Sequence, residues 1–263
     1  MKLFVDDGWN CTIHNSNLSE RYKEACTRAC SDDHAFSTFR RDPHYMSIVG
    51  CDTHGRQTGQ TFLDWVDNHY PHLLEKAGEF RKSDSMGSPI TFDYDRWGVM
   101  SPNTTRLIKV CGEIGYYFGS LDNKEIVEIG GSYGGQYHAF SCIWRPDSYT
   151  GIDCSEATLL ARKFISSFDN NCELSFYDTN NIIARDYDFA ISDNCLSEMN
   201  SESFDFYMEN VISRAQMAYC SMNDYYRKQE TIEKFKKVFS DVKVIKDDPS
   251  SPDNQCYILI CRK

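Results

Sequence analysis

A glycine-rich segment between a predicted strand and a predicted helix carries the strongest chemical signal in the sequence. The segment KEIVEIGGSYGGQYHAF covers residues 124–140, and four of the six residues from Gly130 to Gly135 are glycine. Glycines at such a turn let the main chain bend sharply and approach a ligand without an intervening Cβ. The helix start that follows offers unpaired N–H groups. We therefore predict that this turn borders a ligand-binding crevice at the carboxyl end of a strand.

The turn matches neither of two common phosphate-binding patterns. In the dinucleotide fingerprint G-x-G-x-x-G, Ser132 stands where the second glycine belongs if the pattern starts at Gly130. The phosphate-loop pattern G-x-x-x-x-G-K-[ST] also fails, because Gln136 and Tyr137 follow Gly135. The ligand is therefore expected to be something other than a dinucleotide or a nucleoside triphosphate.

Acidic residues accompany the turn at a characteristic spacing. Glu128 lies two residues before Gly130, and Asp153 ends the next predicted strand, 23 residues after Gly130. A carboxylate in that position can accept hydrogen bonds from both hydroxyls of a ribose. The pattern resembles motif I, usually E/D-x-G-x-G-x-G, of the class I S-adenosylmethionine-dependent methyltransferases, with Ser132 replacing the middle glycine.

The resemblance implies that S-adenosyl-L-methionine is the cofactor and that the glycine-rich turn and neighbouring strand ends bind it. Asp178, after the next strand, is the candidate partner of the adenine amine. The predicted cofactor-binding residues are Glu128, Gly130, Gly131, Ser132, Tyr133, Gly134, Asp153, Cys154, Asp178 and Ser192.

Further segments resemble a family of sugar O-methyltransferases. IVEIGGSYGGQ is similar to the E-I-G-G-G-Y-G-G stretch of that family, and AISDNCLSEMN (190–200) is similar to its S-N-x-x-F-S-E segment. AYCSMN, which ends at Asn223, is similar to a later G-Y-x-x-x-N. The similarity covers residues 101–225 in separated blocks. It implies methyl transfer to a hydroxyl of a sugar, which is either a free glycan or a nucleotide-sugar.

Methyl transfer to a sugar hydroxyl favours a general base, because the hydroxyl is a poor nucleophile until it loses its proton. Glu198 and Asp193, predicted to follow the fourth strand of the sheet, are the leading candidates, and His138 is the third. Each also has a structural interpretation. Glu198 lies near a predicted helix start, Asp193 could cap a turn, and a lone helical histidine such as His138 is often packed or solvated.

Other polar residues are candidates for binding the acceptor. Asn194 and Asn223 could orient it by hydrogen bonds. Arg40, Arg41 and His44, in the segment FRRDPHY, could contact the diphosphate of a nucleotide-sugar.

The sequence indicates no metal site. Cys26, Cys30 and His34 share one predicted helical face, but a zinc site usually needs four ligands. Asp193 and Glu198 could hold Mg²⁺ against two acceptor hydroxyls, although nothing in their spacing demands it.

The elements that position these residues alternate between strands and helices from residue 101 onward. The predicted strands are 125–130, 149–153, 173–178, 187–192, 217–223, 242–246 and 256–262. This alternation predicts an α/β, Rossmann-like, doubly wound, mostly parallel seven-stranded sheet, with an antiparallel hairpin at one edge. Residues 1–100 lack the alternation and are predicted to form a mainly helical lobe that binds the acceptor and acts as a lid. Residues 101–263 are the predicted cofactor-binding domain.

Composition indicates which binding partners and which cellular compartment to expect. The 263 residues carry a net charge of -11, which argues against a general nucleic-acid binder. The 12 cysteines are scattered and the first residues lack a signal-like apolar core, so we expect a reducing, cytoplasmic setting. No apolar run reaches the roughly 20 residues of a membrane helix. The expected partner is a small sugar or glycan acceptor, with no nucleic acid and no membrane, while a homo-oligomer is left open.

Two other functions are compatible with parts of the sequence. A glycosyltransferase could use a D-x-D metal site, and DYD occurs at 93–95 and at 186–188. The second DYD precedes a strand, which is the wrong end of a parallel sheet for an active site. The other alternative is a non-catalytic binding protein that keeps the methyltransferase fold.

Overall fold

A computed structural model describes residues 16–49, 55–169, 172–223, 227–248 and 256–263 of the chain. The predicted N-terminal lobe includes residues 1–15 and 50–54, and the turn predicted between the last two strands includes 249–255, all of which lie outside the described residues.

Helices and strands alternate through the second part of the described chain. The α-helices are α1 Ser16–Ser31, α2 Asp33–Thr38, α3 Pro43–Val49, α4 Arg56–His69, α5 Ala77–Phe80, α6 Pro102–Phe118, α7 Gly135–Ser141, α8 Ser155–Ile165, α9 Cys195–Glu198, α10 Ser201–Asn210 and α11 Lys228–Lys236. The strands are β1 Phe92–Asp93, β2 Val99–Met100, β3 Glu125–Ile129, β4 Ser148–Asp153, β5 Glu173–Asp178, β6 Tyr187–Asp193, β7 Ala215–Met222, β8 Asp241–Lys246 and β9 Tyr257–Arg262.

Seven of the strands form one sheet in the order β5-β4-β3-β6-β7-β9-β8. Strands β3 to β7 are parallel to one another, whereas β9 is antiparallel to both β7 and β8. Strands β4 and β5 lie on one side of β3, whereas β6 and β7 lie on its other side. The strand order therefore reverses between the two central strands β3 and β6. The predicted Rossmann-like fold with an antiparallel edge hairpin is confirmed.

The central strands have buried apolar residues on both faces because helices cover both faces of the sheet. Ile126 and Phe189 belong to the hydrophobic core on one face. Val127 and Ala190 belong to the core on the other face. The alternation of faces along β3 and β6 therefore gives two packed layers of helices, as the doubly wound prediction requires.

Helix α6, which leads into the sheet, has clear end signals. The side chain of Ser101 accepts a hydrogen bond from the backbone N–H of Thr104, and Pro102 occupies the first turn. Gly119 ends the helix in the left-handed region at φ 82°. These local signals explain why this helix was predictable.

Helix α10 is shorter than predicted. The sequence predicts it to continue to Gln216, but it ends at Asn210, and β7 begins at Ala215. Ala215 pairs with Tyr187 of β6 and is fully buried. Pairing with the neighbouring strand therefore overrides the local helical pattern.

The N-terminal helices pack on the same core as the sheet. Tyr22 of α1 and Leu63 of α4 belong to the hydrophobic cluster that contains Ile126 of β3. The predicted boundary at residue 100 stays a prediction. Within the described part of the chain, no helix combines the length and apolarity that a membrane crossing requires.

Candidate functional site

A cavity of about 270 Å³ opens at the carboxyl edge of the parallel strands. It lies where the strand order reverses between β3 and β6, which is the usual ligand position in open α/β sheets. Its walls come from the turn after β3, the ends of β6 and β7, and parts of α1, α3 and α6. The predicted site residues that line it are Glu128, Gly130, Gly131, Ser132, Tyr133, Asp193, Asn194, Glu198 and Asn223.

The glycine-rich turn needs glycine where its backbone is tightest. Gly130 has φ 84°, and a Cβ there would collide with the side chain of Cys195. Gly134 has φ 87°, and a Cβ there would collide with Ile165 of α8. The turn therefore brings bare main chain against α8 and against the start of α9.

Ser132 occupies the left-handed region at φ 47° although it is not glycine. Its hydroxyl lies 2.8 Å from the hydroxyl of Tyr45 and 3.3 Å from that of Tyr22. These tyrosines come from α3 and α1. The serine that departs from the glycine pattern thus joins the turn to the N-terminal helices.

Glu128 is a buried acid at the end of β3. One of its carboxyl oxygens accepts a hydrogen bond of 2.8 Å from the hydroxyl of Tyr149. Burial raises the pKa of Glu128 to about 8, against the opposing effect of the Tyr149 hydrogen bond. Glu128 is therefore mostly protonated at neutral pH in the ligand-free protein.

Asp153 lies behind the turn instead of on the cavity wall. Its carboxylate accepts hydrogen bonds from the backbone N–H groups of Ser132 and Cys154, at 2.8 and 2.7 Å, and the residue is 4% exposed. Burial of Cys26 in α1 is the largest cause that raises the pKa of its thiol, and the negative charge of Asp153 is the second. Helix α1 therefore covers the carboxylate that was predicted to hold a ribose.

Three other predicted cofactor residues also lie away from the cavity wall. Cys154 is buried at the start of α8. Asp178 binds the backbone N–H of Asn180 and the side chain of Asn181, as in a local turn. The fully buried hydroxyl of Ser192 accepts the N–H of Leu196. In this structure their contacts are structural, and their cofactor roles stay predictions.

Glu198 combines access to the cavity with a nearly neutral pKa. Its Oε1 accepts a hydrogen bond of 2.8 Å from Nδ2 of Asn223, at the end of β7. Burial, assisted by the charge of Asp193, raises the pKa of Glu198 to about 7, while the Asn223 hydrogen bond acts in the opposite direction. Ser197 donates to Oδ1 of Asn223 at 2.7 Å and so fixes the orientation of the amide. The arrangement suits a group that gains and loses a proton near neutral pH.

Asp193 is held in an ion pair. Arg106 donates to both of its carboxylate oxygens, at 3.0 and 2.5 Å, and Ser221 of β7 donates a further hydrogen bond. Burial alone raises the pKa of Asp193, but the Arg106 charge and these hydrogen bonds outweigh it and lower the pKa. This anchored carboxylate is a poor proton acceptor, so the geometry disfavours Asp193 as the base.

His138 does not reach the cavity, contrary to its prediction as a base. It is 5% exposed, and its ring centroid lies 4.1 Å from that of Phe168. Burial among such apolar neighbours lowers its pKa to about 4. The packed structural interpretation of this histidine is the one that the structure supports.

The segment FRRDPHY also does not contact the cavity. Arg40 is fully buried, where it pairs with Asp84 at 2.8 Å. Arg41 donates to the carbonyl of Ser88, and His44 is half-buried in the first turn of α3. Arg40 was expected to bind a diphosphate; in this structure its contacts with Asp84 and Ser101 are structural, and the diphosphate role stays a prediction.

Sequence reasoning missed the polar residues that α6 contributes to the site. Arg106 and Asn103 line the cavity, and Asn103 donates to the hydroxyl of Tyr133 at 2.9 Å. They recur at helical spacing with Lys109 and Glu113 along one face of an otherwise apolar helix. Polar residues at that spacing on a buried helix are the signal that could have identified them.

Neither D-x-D segment forms part of the site. Asp186 and Asp188 flank the start of β6, at the opposite edge of the sheet, and lie 3.7 and 3.8 Å from Arg214 and Lys124. The first segment lies on the short β1-β2 hairpin and lines no part of the cavity. Across the residues that the structure describes, no three His, Cys, Asp or Glu side chains cluster in a way that could hold a metal ion.

Comparisons with known proteins find similar folds only among solved structures. No family model matches the chain, and no curated protein matches it. N-methyltransferase NodS from Bradyrhizobium japonicum WM9, solved with S-adenosyl-L-homocysteine, is 15% identical with a TM-score of 0.47 over 60% of this chain and 84% of that chain. Magnesium protoporphyrin IX methyltransferase ChlM from Synechocystis PCC 6803 is 12% identical with a TM-score of 0.44 over 60% and 87%. Small RNA methyltransferase HEN1 is 12% identical with a TM-score of 0.48 over 61% and 25%.

Proposed function

We propose that this protein is an S-adenosylmethionine-dependent methyltransferase that acts on a sugar hydroxyl. The observation that carries the proposal is the cavity at the strand-order reversal, where the motif-I-like turn after β3 faces Glu198 and Asn223. A cofactor turn and a group with a pKa of about 7 thus border one cavity. The sugar acceptor rests on the sequence resemblance alone.

The residues at the cavity fit the proposed cofactor. Main chain without a Cβ is exposed at Gly130 and Gly131, so a bulky ligand can approach the turn closely. Carboxyl groups of Glu128, Asp193 and Glu198 line the same space and can accept hydrogen bonds from a polar ligand. When bound, S-adenosylmethionine supplies an electrophilic methyl group on a sulfonium.

The protein's own residues then align the acceptor and accept its proton. Glu198 takes the proton of the acceptor hydroxyl, and Asn223 holds the Glu198 carboxylate by the hydrogen bond from Nδ2. Leu107 and Tyr133 line the cavity with apolar surface that excludes water. Arg106 keeps Asp193 ionised, and the negative charge of Asp193 helps to keep the pKa of Glu198 raised.

A second candidate function, a non-catalytic protein with the methyltransferase fold, is favoured by the covered position of Asp153. Its carboxylate is 4% exposed, and both its oxygens accept main-chain N–H groups. If α1 never leaves this position, a ribose cannot contact the carboxylate.

Calorimetry with S-adenosylmethionine, NAD and UDP-glucose distinguishes the functions. We expect binding of S-adenosylmethionine alone. Mass spectrometry of a glycan panel after incubation should then show addition of one methyl group. Cofactor binding without any transfer favours the non-catalytic protein, whereas absence of cofactor binding contradicts the proposal.

Replacement of Asp153 by Ala is expected to weaken S-adenosylmethionine binding by roughly 10- to 100-fold, the loss of one or two charge-assisted hydrogen bonds. The dissociation constant is measured by calorimetry, with thermal unfolding to verify the fold. Asp188→Ala is the matched control, because Asp188 lies at the start of β6, at the edge of the sheet opposite the cavity. Parent-like binding in Asp153→Ala contradicts the cofactor role of this carboxylate.

A further inference from the structure

We propose that the acceptor brings no phosphate into the cavity, because Asp193 and Asp247 occupy the guanidinium of Arg106, which is the cation on the described walls. The inference rests on the proposed function for the identity of the acceptor, and it selects a free glycan over a nucleotide-sugar. It also assigns Asp193 a role as a specificity-determining residue.

Carboxyl groups outnumber cationic groups among the described residues that line the cavity. Among the described residues that line it, Glu128, Asp193 and Glu198 are acidic and Arg106 is the cation. A phosphate in the cavity would therefore lie among carboxyl groups, and its only cationic neighbour on the described walls would be Arg106.

The guanidinium of Arg106 is already bound. Its Nε and Nη2 donate to the two carboxylate oxygens of Asp193, and Nη1 lies 3.8 Å from Oδ2 of Asp247. The side chain is only 7% exposed. Both edges of the guanidinium thus face carboxylates, whereas a phosphate would need one edge for bidentate binding.

The buried charged side chains behind Arg106 carry no net positive charge. Lys109 is bound to Asp247 at 2.6 Å and to Glu113 at 2.8 Å, and all three side chains are at most 2% exposed. Together with Arg106 and Asp193, two cations face three acidic groups. No positive field from these residues reaches the cavity to attract an anion.

Three amides of the glycine-rich turn already have partners within the protein and do not point at a phosphate. The N–H of Gly130 donates to the carbonyl of Ile152 at 2.8 Å, and that of Gly134 donates to the carbonyl of Gly131 at 2.9 Å. The N–H of Ser132 donates to Asp153 at 2.8 Å. These three N–H groups donate hydrogen bonds within the protein, whereas in phosphate-binding loops the corresponding N–H groups point at the ligand.

Titration with inorganic pyrophosphate tests anion rejection directly. We expect no binding to the parent protein, with a dissociation constant above about 1 mM. The isosteric variant Asp193→Asn releases the guanidinium of Arg106 and should bind pyrophosphate at least tenfold more tightly. The double variant Arg106→Gln/Asp193→Asn is the matched control and should lose that gain. Submillimolar binding to the parent, or an equal gain in the double variant, overturns the inference.

A comparison of acceptors tests the inference without any variant. Glucose and N-acetylglucosamine are compared with glucose 6-phosphate and UDP-N-acetylglucosamine as methyl acceptors for the parent protein. Each compound is also tested as a competitor of any glycan that is found to be methylated. We expect neither phosphorylated compound to be methylated or to compete. Transfer to a phosphorylated sugar overturns the inference and supports the proposed methyltransferase. Failure to bind S-adenosylmethionine instead contradicts the proposed function, and the pyrophosphate titration still decides anion rejection.

Discussion

Replacement of Glu198 by Gln is expected to lower kcat by roughly 10²- to 10⁴-fold, the typical contribution of a general base. The amide keeps the size of the side chain and can still accept a hydrogen bond from Asn223, but it cannot take a proton from the acceptor. The dissociation constant of S-adenosylmethionine should stay close to that of the parent. Single-turnover rates and calorimetry measure the two quantities separately.

The pH dependence of kcat distinguishes a base from a residue that only supports the structure. Burial raises the pKa of Glu198 to about 7, so the carboxylate is mostly protonated below that pH and ionised above it. Because the ionised form accepts the proton, kcat of the parent should rise as pH increases through about 7 and then level off. Glu198→Gln should lose this step. Glu202→Gln, on the exposed face of α10, is the matched control and should keep both rate and profile.

The same pH step in Glu198→Gln as in the parent would show that another group titrates. A fall in kcat accompanied by a lower melting temperature would assign Glu198 a structural role, since its carboxylate also binds Asn223. Only loss of the step with an intact fold supports the proposed base.

Local sequence signals were sufficient to predict the sheet and the turn. Adjacent apolar residues such as Ile126 and Val127 of β3 mark strands that are buried on both faces, and glycine is required at Gly130 by its positive φ. Such features depend on a residue and its immediate neighbours, so they can be read from a single sequence. The parallel arrangement of the strands followed from the general rule that alternating strands and helices form a parallel sheet.

Charge pairing between distant parts of the chain could not be predicted. Arg106 and Asp193 are 87 residues apart in sequence, yet their ion pair makes Asp193 a poor base. Arg40 appeared to be a loop cation, but Asp84 makes its burial possible. In each case the chemistry of one side chain is decided by a partner that only the tertiary structure brings within reach.

The covered carboxylate of Asp153 links the site to the N-terminal helices. Sequence spacing predicted its position at the end of β4, but not that the residue would be 4% exposed and close enough to α1 for its charge to raise the pKa of Tyr22 and Cys26. If S-adenosylmethionine binds as proposed, α1 must move or rearrange to admit the ribose. The predicted role of the N-terminal region as a lid therefore depends on the packing of this one helix.

A buried charge cluster behind the cavity should also control stability. Lys109, 1% exposed, contacts Asp247 and Glu113, and the second oxygen of Glu113 accepts a hydrogen bond of 2.6 Å from Tyr219. Such a cluster is stable only as a complete set, because removal of one partner leaves buried charge without compensation. The ammonium group of Lys109 is the only one of these four side chains that can offset the two carboxylates.

Lys109→Met should lower the free energy of unfolding at pH 7 by about 3–5 kcal/mol, measured by chemical denaturation. Burial already raises the pKa of Glu113, and loss of the opposing ammonium raises it further above its unfolded value, so folding takes up protons and the deficit should shrink as the pH falls from 7 toward 5. Lys236→Met is the control, since Lys236 is 52% exposed and its pair with Glu233 lies at the surface. A similar small loss in both variants, independent of pH, would mean that the cluster contributes little. A large, acid-relieved loss in Lys109→Met alone would establish that the charges behind Arg106 stabilise the fold as one unit.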